Sequence, residues 1–147
     1  MGEKTIMSDN LDCLRQIAEA FRAALEKYRQ SADDVIFKDF PVGACSPTSD
    51  LLATYLIDAL GLNAQCAVSL KLPTHAWVTI EDTIIDITAD QFEQGPVICE
   101  NYSRWHEELP EQERRPPSRR NEWNKEEEAA WNFIIDEMSQ RGFPVPE

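Results

Sequence analysis

The stretch His75-Ala76-Trp77-Val78-Thr79-Ile80-Glu81-Asp82-Thr83-Ile84-Ile85-Asp86-Ile87-Thr88 decides how the chain is read. Residues 75–80 alternate, an acidic pair interrupts, and 83–88 is rich in β-branched side chains, which predicts two antiparallel strands joined by a short turn. A turn centred on Glu81-Asp82 sets Trp77 opposite Asp86 and His75 opposite Thr88. Directly paired residues share a face of the sheet. His75, Trp77, Asp86 and Thr88 therefore collect on one side, and Ala76, Val78, Ile80, Ile85 and Ile87 make an apolar side. His75 and Asp86 become diagonal neighbours, within reach of a hydrogen bond. A turn of odd length would need a bulge and would destroy this register.

Working upstream, Cys66, Val68 and Leu70 alternate with Gln65, Ala67 and Ser69 and predict a third strand of an antiparallel meander. Before it, a helix is expected from about Ser46 to Leu60, with Pro47 in its first turn and Gly61 as a left-handed terminator. Leu51, Leu52, Tyr55, Leu56, Ile57, Ala59 and Leu60 cover most of its circumference, so it should be buried against the sheet. Cys45 opens this helix, after Gly43-Ala44. Unpaired N–H groups and the positive end of a helix dipole favour a thiolate, and the same groups can hold an oxyanion. The plainer reading is an inert core cysteine at a tight turn. A histidine with a carboxylate partner can take a proton from a thiol and return it to a leaving group. Asp86, between Ile85 and Ile87, needs such a partner if it is buried. Taken singly, His75 reads as a structural histidine and Asp86 as an edge device. In the order nucleophile, base, orienter, the three residues point to nucleophilic catalysis.

Gly43-Ala44-Cys45 before a Leu-rich helix, His75-Ala76-Trp77, and Ile85-Asp86-Ile87-Thr88 resemble the transglutaminase-like branch of the papain-like cysteine proteases. A narrower resemblance, to small bacterial proteins of that type, rests on Phe40-Pro41-Val42-Gly43-Ala44-Cys45 with Ser49, Leu51 and Leu52, and on residues 75–77 and 84–92. It covers residues 40–92, about a third of the chain. It implies Cys45 as nucleophile, His75 as general base and acid, and Asp86 as orienter. Trp77, Thr88 and Gln91 are expected at the substrate, Gln91 as a candidate oxyanion donor by its amide chemistry. Two departures stand out: Ser46-Pro47 follows the cysteine where the bacterial relatives show Gly-Asp, and only 30 residues separate Cys45 from His75, so substrate-binding insertions are reduced.

Outside this core (35–92), apolar residues Leu11, Leu14, Ile17, Ala18, Phe21, Leu25 and Tyr28 predict a helix over 8–29, with Ser8, Asp9 and Asn10 as capping residues. Residues 100–120 are polar and carry Arg104, Arg114, Arg115, Arg119 and Arg120, which suggests a loop. His106 lies there and reads as exposed, a weak rival to His75. A last helix is expected over 121–141 with Gly142 as its stop. The fold class expected is α+β: a buried helix carrying the nucleophile, packed on a small antiparallel sheet, with N- and C-terminal helices flanking. A length of 147 residues and 42% hydrophobic residues suit one domain with its own core.

The net charge of -13 disfavours nucleic acid and anionic membrane surfaces as partners. No apolar run is long enough for a bilayer and the first ten residues do not read as a signal peptide, so a cytoplasmic location is expected. Cys13, Cys45, Cys66 and Cys99 lack close-spaced pairs, so neither disulfides nor a metal or other cofactor is expected. The function expected is cysteine-dependent acyl transfer at an amide bond of a peptide, protein or small amide, by a peptidase, amidase, deamidase or transglutaminase type of reaction. The alternative is a non-catalytic acidic binding or immunity-type module on the same scaffold. Either way the catalytic reading requires the three groups to meet beside an accessible hollow.

Overall fold

In the computed structural model, strands β1 (Ala64–Ser69), β2 (His75–Ile80) and β3 (Thr83–Asp86) form the meander. The hairpin takes the predicted register, with Val78 facing Ile85, Thr79 facing Ile84 and Ile80 facing Thr83 across the two-residue turn. The structure describes residues 3–31 and 35–146, with side chains from residue 10 onward in those spans. Two further strands, β4 (Ile98–Glu100) and β5 (Gln112–Arg115), complete a five-stranded antiparallel sheet in the order β4-β3-β2-β1-β5.

The fold is α+β, as expected. Helices α1 (Glu3–Ser31) and α2 (Cys45–Leu60) precede the sheet. A one-turn helix α3 (Arg104–Glu107) lies between β4 and β5, and α4 (Lys125–Gln140) follows. Helix α2 packs on β1 and β2, while α1 packs on α4, β3 and β4. Phe21, Leu25, Leu51, Leu52, Leu56, Val78, Ile85, Ile134 and Met138 meet in the core between helices and sheet. The other face of the sheet carries a small cluster of Ala67, Trp77 and Leu109 with Ile84 and Trp105 against it. The alternation read in the hairpin thus separates two different apolar clusters, and the candidate site lies with the smaller one.

The approach to α2 is set by local chemistry. Phe37 and Phe40 are fully buried, and Arg29 Nη1 donates to the Phe40 carbonyl at 2.6 Å. Gly43 has φ +73°, a left-handed conformation that side chains resist. The chain then turns through Ala44 into α2, whose first residue is Cys45. At the far end Gly61 has φ 67°, and its N–H reaches the Ile57 carbonyl, which closes α2 where the sequence placed its stop.

Three expectations need correction. Ser8, Asp9 and Asn10 do not precede α1: the helix begins at Glu3, because nothing in 3–10 breaks it. The C-terminal helix begins at Lys125, not 121. Asn124 caps it reciprocally with Glu127, and Arg120–Glu122 forms a separate 3-10 turn. Residues 100–120 are not a simple loop, since they contain α3 and β5. The side chains of β5 are all exposed, so this edge strand shows no apolar alternation. It is held by its backbone against β1, and its charges discourage further strand addition.

Candidate active site

The N-terminus of α2 delivers Cys45, β2 delivers His75 with its first residue, and β3 delivers Asp86 with its last. The first turn of α2 has no acidic residue, and its leading N–H groups have no acceptor within the helix. Ser49 Oγ donates to the Cys45 carbonyl at 2.7 Å and fixes this turn. Cys45 is half-buried, in contrast to the buried Cys66 and Cys99 and the exposed Cys13. Burial and the Asp50 carboxylate raise the Cys66 pKa strongly, and burial raises that of Cys99 to about 11. These two are inert thiols.

His75 Nε2 lies 2.7 Å from Asp86 Oδ2, the diagonal contact that the hairpin register implies. Burial works against a positive charge on His75. The hydrogen bond to Asp86, the interaction with Cys45 and the charges of both outweigh it, and the imidazole pKa stands at about 9. Asp86 is 1% exposed, yet hydrogen bonds and charge from His106 and His75 overcome burial and hold its pKa at about 2. An ionised Asp86 accepts, so Nε2 of His75 carries the proton and Nδ1 is bare in the neutral ring. Nδ1 is buried and has no closed hydrogen bond. Cys45 stands near enough to raise the basicity of this ring without the geometry of a finished bond.

His106 corrects the sequence reading most. It is 1% exposed, and its Nε2 lies 2.6 Å from the same Asp86 Oδ2. Ser103 Oγ lies 2.6 Å from the other ring nitrogen, Nδ1. In sequence His106 is a lone imidazole in a polar segment. It is buried because α3 folds back on the Trp77 face of the sheet, anchored by Trp105 and Leu109. Neighbouring Trp105 and Leu109 were the available signal.

The residues expected at the substrate divide. Thr88 is buried, and its backbone N–H donates to Asp86 Oδ1 at 2.9 Å, so it holds the carboxylate in place. Trp77 is also buried and stacks on His75 at 5.8 Å. Phe92 and Trp105 pack edge-on against the same ring at 4.8 and 5.6 Å. The three aromatic rings keep water from the imidazole. Gln91 keeps its amide nitrogen buried without a hydrogen-bond partner, so its donor remains available.

One donor atom each from His75, Asp86 and His106 lie within 4.8 Å of one another, a grouping that could hold a metal ion. Around zinc, with bonds of about 2.0–2.1 Å, ligand atoms stand roughly 3.3 Å apart. The N···O separations of 2.7 and 2.6 Å are hydrogen-bond lengths instead. Cys66 and Cys99 take no part in this grouping.

A hollow of about 330 Å³ approaches from the His106 side, lined in part by Trp77, Thr79, Ser103, His106, Gln112 and Arg114. A second, of about 820 Å³, lies between α1, the hairpin turn and Phe143-Pro144. Cys45 lines neither. The smaller hollow touches the cluster at His106, the second imidazole. Among the described residues, no helix is long and apolar enough to cross a membrane.

Compared with known proteins, the chain has no significant match to a family model, a curated protein or a solved structure.

Proposed function

We propose that the protein is a cysteine-dependent acyl-transfer enzyme acting on amide bonds, of the transglutaminase-like type, with hydrolysis as its simplest reaction. The observation that carries this reading is the division of labour on His75: Nε2 is bonded to Asp86 at 2.7 Å, and Nδ1, buried without a closed hydrogen bond, is left to exchange a proton with Cys45.

In this reading His75 holds at Nδ1 the proton taken from the Cys45 sulfur, as its pKa of about 9 favours at neutral pH, and the thiolate attacks the carbonyl carbon. The oxyanion forms beside the first N–H groups of α2. The cationic His75, stabilised by Asp86, gives its proton to the amide nitrogen as the C–N bond breaks and the amine leaves. The thioester is then attacked by water, which loses a proton to the same Nδ1; the C–S bond breaks, the carboxylic acid is released, and the Cys45–His75 pair returns to its starting state. An amine in place of water gives transfer. Four free thiols fit a reducing compartment such as the cytoplasm.

The test is timed alkylation with iodoacetamide, followed by peptide mapping. Cys45 should label faster than exposed Cys13 at neutral pH, and His75→Ala should remove the difference. Equal labelling of the two thiols in the unaltered protein would overturn the reading. The charge of -13 supports a second reading, an acidic module that binds basic proteins without catalysis. In that case captured partners should elute on raising salt, with Cys45→Ala having no effect.

A further inference from the structure

Asp86 serves two imidazoles. Its Oδ2 meets His75 at 2.7 Å and His106 at 2.6 Å, while Oδ1 meets the Thr88 N–H at 2.9 Å. The triad needs only the first of these contacts, and His106 has no assigned task. We propose that His106 is a positioning residue which, through Asp86, sets the pH at which His75 loses the proton it takes from Cys45. This deepens the cysteine reading above and rests on it.

The hydrogen-bond pattern assigns the tautomer of His106. Ser103 caps α3, and its oxygen accepts the His106 backbone N–H at 3.3 Å. The hydroxyl proton of Ser103 is then free to go to Nδ1, 2.6 Å away. With Nδ1 accepting, the ring proton sits on Nε2 and is donated to Asp86. The order is hydroxyl, imidazole, carboxylate, imidazole, thiol: Ser103, His106, Asp86, His75, Cys45.

The consequence has a sign. A hydrogen bond to an ionised carboxylate stabilises its charge and weakens its pull on any other cation. His75 and His106 compete for one oxygen atom. While His106 donates, part of the charge of Asp86 is compensated and His75 releases its proton at a lower pH than it would alone. A general base that holds its proton too tightly cannot take another from thiol or water, so this trimming bears on turnover. The charged or titratable groups facing His75 are Cys45 from α2, Asp86 from β3 and His106 itself from α3. His106 faces Asp86 and shares its hollow with Glu107 of α3, Arg114 of β5, Asp82 of the hairpin turn and Tyr102. Arg114 is engaged with the Glu81 carbonyl at 2.8 Å. None of these four is hydrogen-bonded to Asp86, so His106 is the outer link to the carboxylate.

A structural histidine filling the same space would show the same burial, so the test must read protonation. The ring signals of His75 are followed by NMR across pH in the unaltered protein, His106→Phe, His106→Gln and Ser103→Ala. Alkylation of Cys45 by iodoacetate is followed in parallel, since its rate falls when the imidazolium is lost. His106→Phe removes the donor and should move the His75 midpoint and the alkaline fall of iodoacetate alkylation upward by about half to one pH unit. His106→Gln keeps an N–H near the position of Nε2 and should restore the midpoint. Ser103→Ala frees the tautomer and should give a smaller upward shift, which decides the matter if His106→Phe does not fold. Melting temperatures that fall while the His75 midpoint stays fixed in all folded variants would overturn the proposal. The two readings fail separately: a His75 midpoint that moves beside an unreactive Cys45 keeps the coupling and removes the enzyme. A reactive Cys45 with a fixed midpoint does the reverse.

Discussion

At the scale of single residues, the site is a buried carboxylate made tolerable by its donors. An unpaired ionised carboxylate at 1% exposure would cost several kcal/mol. Here two imidazoles and a backbone N–H receive it. The pH dependence of stability follows with opposite signs. The Asp86 pKa is lowered from 3.8 to about 2, so its contribution is present above pH 3.8 and lost as pH falls through about 2. The His75 pKa is raised from 6.5 to about 9, so its contribution is full below pH 6.5 and lost as pH rises through about 9. Urea midpoints measured across pH should therefore be highest between these windows and fall on the alkaline side. In Asp86→Asn the alkaline fall should shrink, at a lower overall stability. An alkaline fall unchanged in Asp86→Asn would show that His75 is not the group responsible. Cys45, His75 and Asp86 were legible because helix start and hairpin register are local properties. His106 was not, because its burial depends on a turn of α3 closing over a distant face.

At the scale of elements, two small devices place Cys45 and the surroundings of His75. Gly43 turns the chain into α2 with φ +73°, where a Cβ would meet no neighbouring atom but would strain the backbone. Gly43→Ala should lower stability by about 1–2 kcal/mol through backbone strain alone. It should also slow Cys45 alkylation, because the relaxed turn re-aims the first residue of α2. A variant as stable as the parent would show that the turn does not need a left-handed residue. Arg22 of α1 binds both oxygens of Asp90 at 2.8 Å and the Ile87 carbonyl at 2.8 Å. It thereby fixes the 3-10 turn Ala89–Phe92, which brings Phe92 against His75. Charged hydrogen bonds of this kind contribute about 1.5–3 kcal/mol each, so Arg22→Met should cause a clear fall in melting temperature. Retention of the parental melting temperature would rule out this brace. Helix α2 and the meander were readable from periodicity. Strand β5 was not, since an exposed edge strand of Gln112, Glu113, Arg114 and Arg115 has the composition of a loop.

At the scale of the whole molecule, the sheet separates two environments. Its helical side is a dry apolar core, and the other side carries the aromatic and titratable cluster around His75. Ile134→Ala in the core should cost about 2–5 kcal/mol by leaving a cavity, while the His75 midpoint stays where it was. A core variant that moved this midpoint would mean the two sides are not independent. The central claim is that the Cys45 sulfur and the His75 imidazole act as one pair on an Asp86 anchor. NMR titration of the His75 ring, in the unaltered protein and in Cys45→Ala, tests it most directly. The midpoint should lie near 9 and fall when the sulfur is removed, because Cys45 is one of the groups that raises it. A midpoint at or below the ordinary 6.5, or one indifferent to the loss of Cys45, would contradict the account.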